Sequence, residues 1–425
     1  MAEGAERQAN GGRFSQVVEV RGHIIDSLIL PRILDQLLDL RVRFDIEELT
    51  VGRGNQDPSY ARIRITADSP ERLDEALGAV QSTGAVPIEL RDAEAQAAPL
   101  DGVFPEGFYS TTNLQTWIRR AERWIPVAYP EMDCAIRVAP DLAGVDGSAE
   151  RAECVPLNEV RRGDSIVVGR RGIRVEPLER SRGPEPLFGF MGSSISSEKP
   201  KTYAIQEAAV WIRQARASGR RNLVVAGPAV IHSGCREYLC RLIDAGYVDC
   251  LFAGNALAVH DVELALFGTS LGVPLAGGPE PEGGHAHHLQ AINRIRAAGG
   301  IRAAVENGML REGVMHACVR RGVDVVLAGS IRDDGPLPEV ITDVIEAQGA
   351  MRAQIRGGVQ VALLLSTMLH SIAVGNLLPA TVHTVCVDVN PAVLTKLADR
   401  GSFQTIGLVM DVGGFLRELL DALGI

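Results

Sequence analysis

Small and polar residues follow the apolar strands predicted in the C-terminal half of the chain. These segments are residues 227–232, 254–261, 329–338, 366–371 and 388–391. In an open parallel sheet the carboxyl ends of the strands share one edge, and ligands bind in the crevice there. One such segment alone would be typical of a tight strand-to-helix turn. Five of them on one rim favour a binding site.

A nucleotide is one ligand that this rim could hold. The chain has no G-x-G-x-x-G after a strand, so a nucleotide would have to bind other loops than the usual Rossmann turn. Asp388 ends the very apolar strand 382–387 and could bind ribose hydroxyls. It could equally cap the helix that follows Pro391.

Adjacent carboxylates, Asp333 and Asp334, follow another apolar strand, residues 323–328. Two such carboxylates raise each other's pKa unless a cation lies between them. Arg332, a positive cofactor ring or a substrate ammonium could be that cation. One carboxylate could face a nucleotide and the other a substrate, or one could cap a helix starting near Glu339.

Histidines are concentrated in one region, with eight of the nine between His232 and His383. The run Gly-His-Ala-His-His at 284–288 suggests a metal site, but adjacent histidines on a helix point about 100° apart. No cysteine or carboxylate completes a ligand set there. We therefore predict no metal, and a substrate-pocket or helix N-terminal role for this run. Lys199 lies in a Ser-rich segment that is either a solvated linker or an ordered active-site loop.

The N-terminal part of the chain predicts a ferredoxin-like α+β domain over residues 13–95, after a disordered tail at 1–12. Its pattern is strand 15–20, helix 27–40, strands 43–51 and 61–67, helix 69–82 and strand 86–90. The order β-α-β-β-α-β is that of ferredoxin-like domains.

The remaining chain predicts two further domains. Residues 96–187, rich in Pro and Gly, indicate a small β-rich domain with one helix at 113–123 and a hairpin at 165–175. From residue 188 to 425 apolar strands alternate with helices, which is typical of a Rossmann-like parallel sheet covered on both faces. The fold class is therefore multi-domain α/β.

Composition excludes several classes of protein. The net charge of −10 argues against a nucleic-acid-binding protein, which needs a basic surface. Residues 1–12 lack an apolar core typical of a signal peptide, and no apolar run approaches the ~20 residues that span a bilayer. The odd number of cysteines, seven, and the absence of CxxC indicate reduced thiols in a cytoplasmic protein.

Several strings together resemble the archaeal-type ornithine cyclodeaminase family, which includes the C-terminal part of cyanobacterial arginine-dihydrolase/ornithine-cyclodeaminase fusions. The resemblance covers about residues 14–425. It is carried by the strings at residues 190–200, 227–232, 253–261, 268–272, 327–338, 367–376 and 399–402. It implies an NAD-dependent lyase that converts L-ornithine to L-proline and ammonia, with NAD used and regenerated. The guanidine-hydrolysing domain of the fusions has no counterpart here, so we expect no consumption of arginine.

The resemblance also implies site residues. The NAD contacts are expected from Asn255, Ala256, Asp334, Ser366, Thr367, Met368, Leu369, Asp388, Met410 and Asp411. The reaction needs an anchor for the α-carboxylate, a base and an acid. Arg332 or Lys199 could hold the carboxylate, Asp333 or Asp334 the ammonium, and His287 or His370 could carry protons.

Other functions remain open from sequence alone. The chain could be a simple NAD-dependent amino-acid dehydrogenase, a lysine cyclodeaminase, or a sensor that binds NAD or an amino acid without turnover. In each case the expected partner is a small amino acid, with no nucleic acid and no membrane. We expect a homo-oligomer.

Overall fold

The computed structural model describes residues 14–54, 57–88, 91–140, 150–177, 201–275, 284–333, 335–399 and 405–425. The chain divides into two compact units, residues 1–189 and 190–425. The boundaries expected at 12/13 and 95/96 stay predictions. The expected tail, Lys199 and Asp334 lie outside the described residues.

The first part of the N-terminal unit is a four-stranded antiparallel sheet with two helices. Its elements are β1 (Phe14–Gly22), α1 (Ile29–Asp39), β2 (Arg43–Thr50), β3 (Ser59–Ala67), α2 (Pro70–Gln81) and β4 (Val86–Pro87). The strand order β2-β3-β1-β4 is that of a ferredoxin-like domain, which confirms the prediction. α1 buries Ile29, Ile33 and Leu37 at helical spacing against the inner face of β3. Ser69 caps α2 by accepting a hydrogen bond from the Arg72 N–H.

The second part is a seven-stranded sheet, and it corrects two predictions. Its strands are β5 (Glu94–Ala97), β6 (Thr116–Arg120), β7 (Arg123–Ala128), β8 (Ala135–Pro140), β9 (Glu150–Val155), β10 (Ser165–Val168) and β11 (Ile173–Val175), in the order β11-β6-β7-β9-β8-β10-β5. The helix predicted at 113–123 is wrong, because β6 and β7 form a hairpin there, joined by Ala121 and Glu122 at positive φ. The hairpin predicted at 165–175 is also wrong: β10 pairs with β5 and β8, and β11 with β6.

The described part of the C-terminal unit begins with a helix, after which strands and helices alternate. Its first elements are α3 (Lys201–Ala217), β12 (Arg221–Ala226), α4 (Ala229–His232), α5 (Arg236–Asp244), β13 (Cys250–Gly254), α6 (Asn255–Phe267), β14 (Thr269–Ser270), β15 (Val273–Pro274), α7 (His287–Ala298), α8 (Ile301–Glu306) and α9 (Val314–Arg321). The others are β16 (Asp324–Ala328), β17 (Val340–Ile341), α10 (Val344–Arg356), β18 (Val359–Leu365), α11 (Leu369–Leu377), β19 (His383–Asp388), α12 (Pro391–Asp399), β20 (Thr405–Val409) and α13 (Val412–Leu423).

Seven of these strands form one parallel sheet in the order β17-β16-β13-β12-β18-β19-β20. Without the short edge strand β17, this is the 3-2-1-4-5-6 order of the Rossmann fold. Strand side chains alternate between two apolar layers, so that Val224 packs with α3 and α13 while Val225 packs with α10 and α11. The predicted Rossmann-like sheet is therefore confirmed. Its topological switch point lies between β12 and β18.

The described residues also settle two local questions. All seven cysteines are buried, and none of them forms a disulfide bond. No helix in the described parts of the chain has both the length and the apolar character required to cross a membrane.

A buried carboxylate in α6 fixes the start of α9. Asp261 is fully buried, and its two oxygens accept hydrogen bonds from the Val314 and Met315 N–H groups, at 2.9 and 2.8 Å. Burial raises the pKa of Asp261 to about 6, although these N–H groups oppose the rise. Gly313, at φ 104°, leaves no side chain between this carboxylate and the helix.

We expect Asp261→Ala to lower the free energy of unfolding by about 2–4 kcal/mol, because two buried N–H groups would lose their acceptor. The matched control is Asp343→Ala, which removes an exposed cap that also accepts two N–H groups of a helix, α10. That change should cost about 1 kcal/mol. Urea unfolding of the full chain measures both. Equal losses would contradict the role given to burial of Asp261.

Candidate active site

The crevice at the switch point has a floor of closely packed backbone. Gly227 follows β12 and donates its N–H to the Leu365 carbonyl at the end of β18 (2.9 Å). A Cβ added at Gly227 would lie 2.0 Å from the Ser366 carbonyl oxygen, so only glycine fits there. Ser366 itself has φ 49°, a left-handed conformation that is uncommon for a residue with a side chain.

Asn255 joins two segments of the rim. It is the first residue of α6, directly after β13, and it is buried. Its Oδ1 accepts a hydrogen bond from the Leu337 N–H at 3.0 Å, which ties the segment after β16 to the start of α6. The next residue, Ala256, is half-buried.

The segment after β16 carries the predicted Arg332 and Asp333. Asp333 is half-buried, and its Oδ2 accepts the Ser330 N–H at 2.8 Å. The Arg332 side chain is exposed, while its backbone N–H donates to the Ser330 Oγ. The helix expected near Glu339 is wrong. β17 begins at Val340 instead, and the next helix, α10, is capped by Asp343, so neither Asp333 nor Asp334 has a helix to cap there.

His370 lies on α11 beside this segment. Burial lowers the pKa of His370, while the nearby Asp333 carboxylate acts in the opposite direction. A Cβ on Gly254 would lie 3.2 Å from the His370 Cε1, so the imidazole packs over the end of β13. The structure therefore brings Asn255, Asp333 and His370 to one rim, at the ends of β13, β16 and β18.

The turn between β18 and α11 exposes apolar side chains at this rim. Thr367 is half-buried, whereas Met368 and Leu369 are 38% and 71% exposed. Exposed apolar groups of this kind at a crevice are suited to contact a planar ring or a ribose.

Asp388 ends β19 with one carboxylate oxygen in use. Its Oδ1 accepts the Asn390 N–H at 2.8 Å, and Oδ2 accepts no hydrogen bond from the described residues. The alternative that Asp388 caps α12 is wrong, because Asn390 does so by accepting the Ala392 N–H. At the next strand, the Met410 N–H donates to the Asp388 carbonyl, and Asp411 caps α13 through the Gly414 N–H.

A group of polar residues that the sequence did not single out centres on Glu263. Glu263 is fully buried, and its carboxylate binds His260, Thr269 and two backbone N–H groups. The predicted His287 reaches the same group through its Nδ1, 2.8 Å from the Thr269 Oγ1. The sequence of α6 contains a signal for this group. Its apolar residues lie on all sides of the helix, so the polar residues within it are buried and need hydrogen-bond partners. No group of three or more His, Cys, Asp or Glu within the described ranges could hold a metal ion.

Family comparisons match nearly the whole chain. Residues 206–419 match the family of the arginine dihydrolase ArgZ-like C-terminal Rossmann fold, and residues 115–205 its C-terminal first region. Residues 15–114 match the LOR/SDH bifunctional enzyme conserved region.

Individual relatives cover the chain just as fully. An ornithine cyclodeaminase of Methanopyrus kandleri is 52% identical over 96% of this chain and 97% of its own length. The crystal structure of apo ArgZ, a cyanobacterial arginine dihydrolase, is 38% identical with a TM-score of 0.83, covering 98% of this chain and 59% of ArgZ. A ternary complex of AgrE from Nostoc with ornithine and NAD+ is 40% identical with a TM-score of 0.51, covering 98% of this chain and 58% of AgrE.

We expect Asp388→Ala to weaken NAD binding roughly ten- to a hundredfold. The loss of a charge-assisted hydrogen bond to a ribose hydroxyl corresponds to about 1.5–3 kcal/mol. Isothermal titration with NAD measures the dissociation constant. The control is Asn390→Ala, which removes the α12 cap and leaves Asp388 in place. If both variants bound NAD like the wild type, Asp388 would serve only the turn.

Proposed function

This chain belongs to the ornithine cyclodeaminase family, and we propose that it converts L-ornithine to L-proline and ammonia by internal NAD redox cycling. The observation that carries the proposal is the 52% identity to an ornithine cyclodeaminase over nearly the full length of both chains. The rim of polar residues at the switch point supports an enzyme site at the expected place.

The Rossmann unit fits a dinucleotide. Its strand order places the crevice beside Gly227, where backbone rather than side chain lines the floor. Asp388 offers an unused carboxylate oxygen, and Met368 and Leu369 offer exposed apolar surface. We propose these residues, with Asn255, Ala256, Asp334, Ser366, Thr367, Met410 and Asp411, as the NAD contacts. NAD, when bound, would supply a reversible acceptor for the hydride of the ornithine α-carbon.

The chain's own residues would bind the substrate and move its protons. We propose Arg332 or Lys199 for the α-carboxylate, since a guanidinium or ammonium makes charge-assisted hydrogen bonds to it. Asp333 is proposed to hold the substrate ammonium. Asp333 lies near His370, and burial lowers the pKa of His370 and so favours its neutral form. A neutral imidazole can accept a proton from the substrate. The enzyme is further proposed to be a cytoplasmic homo-oligomer. Seven buried cysteines without a disulfide bond support a reducing compartment.

Purified protein incubated with L-ornithine and NAD should release proline and ammonia in equal amounts, with no net NADH. Amino-acid analysis and absorbance at the NADH band measure these quantities, and L-lysine is the control substrate. Net NADH would indicate a dehydrogenase, and preferred turnover of lysine a lysine cyclodeaminase. Binding of NAD without ammonia release would indicate a sensor.

Asp333 and Asp334 are expected to divide two roles. Asp334→Asn should lose bound NAD, whereas Asp333→Asn should retain NAD and lose turnover, because it would no longer hold the ammonium. NAD retained after gel filtration and proline formed per hour distinguish the two variants. The reverse pattern would refute the assignment, and two active variants would remove both carboxylates from the site.

A further inference from the structure

Glu263 is a buried carboxylate with every acceptor position in use. Its Oε1 accepts hydrogen bonds from the Thr269 Oγ1 (2.9 Å) and the Gly272 N–H (2.8 Å). Its Oε2 accepts from the His260 Nδ1 (2.9 Å) and the Leu271 N–H (3.2 Å). Burial by itself raises the pKa of Glu263, but the donors from His260, Gly272 and Thr269 outweigh it and hold the pKa below its usual value. The carboxylate is therefore ionised at neutral pH.

This network determines the tautomers of two histidines. An ionised carboxylate can only accept, so His260 must carry its proton on Nδ1. The Thr269 hydroxyl has one proton, which it gives to Glu263, so its oxygen must accept from the His287 Nδ1 at 2.8 Å. Both imidazoles are left with a lone pair on Nε2. Neither Nε2 has a hydrogen-bond partner among the described residues, and neither imidazole is fully buried.

The network stands next to the crevice. α6, which carries His260 and Glu263, starts at the carboxyl end of β13. α4 follows the carboxyl end of β12 and ends in His232, whose ring lies 4.6 Å from the His260 ring. His232 is also held through its Nδ1, 2.6 Å from the Ser270 Oγ on the hairpin that carries Thr269. His232 and His260 thus lie on the chain segments that follow β12 and β13, the two strands on one side of the switch point.

We propose that Glu263 is a positioning residue that holds His260 and His287 as proton acceptors, through Nε2, for the deamination of ornithine. The inference rests on the proposed function. An imidazole Nε2 takes a proton from the α-ammonium of ornithine, which leaves the neutral amine that oxidation at the α-carbon requires. The imidazolium that forms is stabilised by the Glu263 carboxylate. It later returns the same proton to the departing nitrogen, so that no proton is gained or lost by the protein.

Among the described residues, the charged and titratable groups near these imidazoles lie on α4, α6 and α7. His232 contacts His260 from α4, and burial lowers the pKa of His232. From α7, His287 stacks on the Phe267 ring at 4.6 Å, and the Arg294 guanidinium lies 4.5 Å from the same ring. Asp261, the neighbour of His260 in sequence, is bound to the start of α9. Among the described residues, Glu263 is thus the carboxylate that is hydrogen-bonded to His260 and, through Thr269, linked to His287.

The test is Glu263→Gln. The amide NH2 group at this position would either face one of the groups that now donate to Glu263, or donate to the His260 Nδ1. In the second case the His260 proton moves to Nε2, which removes the lone pair there. We expect kcat to fall about a hundredfold, with NAD affinity unchanged. The KM for ornithine should stay near its wild-type value, because Glu263 acts through the imidazoles and does not itself contact the substrate in this proposal. The control is Glu306→Gln, the same change of charge at an exposed residue of α8.

A second pair of variants tests the link from Glu263 through Thr269 to His287 and also controls for a folding defect. Thr269→Val keeps the shape of the side chain and removes its hydroxyl. Turnover should fall about tenfold, because His287 loses its hydrogen bond while the bond between Glu263 and His260 is kept. Thr269→Ser should recover most of that loss. Retained NAD affinity and an unchanged unfolding midpoint show that the variants fold.

Two results would overturn the proposal. One is a Glu263→Gln enzyme with wild-type turnover. The other is the same loss of turnover in Thr269→Val and Thr269→Ser, which would indicate a packing role for Thr269. Failure of the proposed function would be distinct, since the wild-type protein itself would then form no proline from ornithine.

Discussion

A parallel sheet covered on both faces determines most of what this molecule can do. The central strands of the parallel sheet have apolar side chains on both sides, so most polar groups of this unit lie beyond the strand ends. Since the strands are parallel, all their carboxyl ends lie at one edge. The polar segments that are far apart in sequence, from Gly227 to Asp411, therefore converge there without any sequence motif that joins them.

The burial of charged groups is the second constraint, and α6 contains two buried carboxylates. Asp261 and Glu263 are both fully inside the protein, where an isolated carboxylate would be strongly destabilising. Each carboxylate is stabilised by a different set of hydrogen-bond donors. Asp261 uses the free N–H groups at the start of a helix, and its pKa is still raised. Glu263 uses four donors and keeps a lowered pKa. Glu263 has more donors than Asp261, and one of them is the His260 imidazole, so these groups outweigh the effect of burial at Glu263.

Much of this architecture could be predicted from the sequence, because long elements have clear periodicity. α1, β16 and β19 were predicted close to their observed bounds, and the ferredoxin-like and Rossmann-like orders were correct. Local sequence patterns predicted the wrong structure where a strand pairs with a partner distant in sequence. The residue spacing in β6 favours a helix, but pairing with β7 and β11 makes it a strand. The Glu263 group could not be predicted because Thr269 and His287 meet it only through tertiary packing. The strand ends alone pointed to Asp388 as a ribose ligand, and the resemblance to a family supplied most of the other expected NAD contacts.

The buried thiols give the molecule a set of internal reporters. Cys134 and Cys154 lie in the N-terminal unit, and the other five lie in the C-terminal unit. A thiol must reach solvent and ionise before it can react, and burial raises the pKa of Cys240, Cys250, Cys318 and Cys386. Labelling of a given cysteine by an alkylating reagent would thus record an opening of the unit that contains it. The kinetics of local opening could be followed in each half of the chain separately, without a probe being introduced.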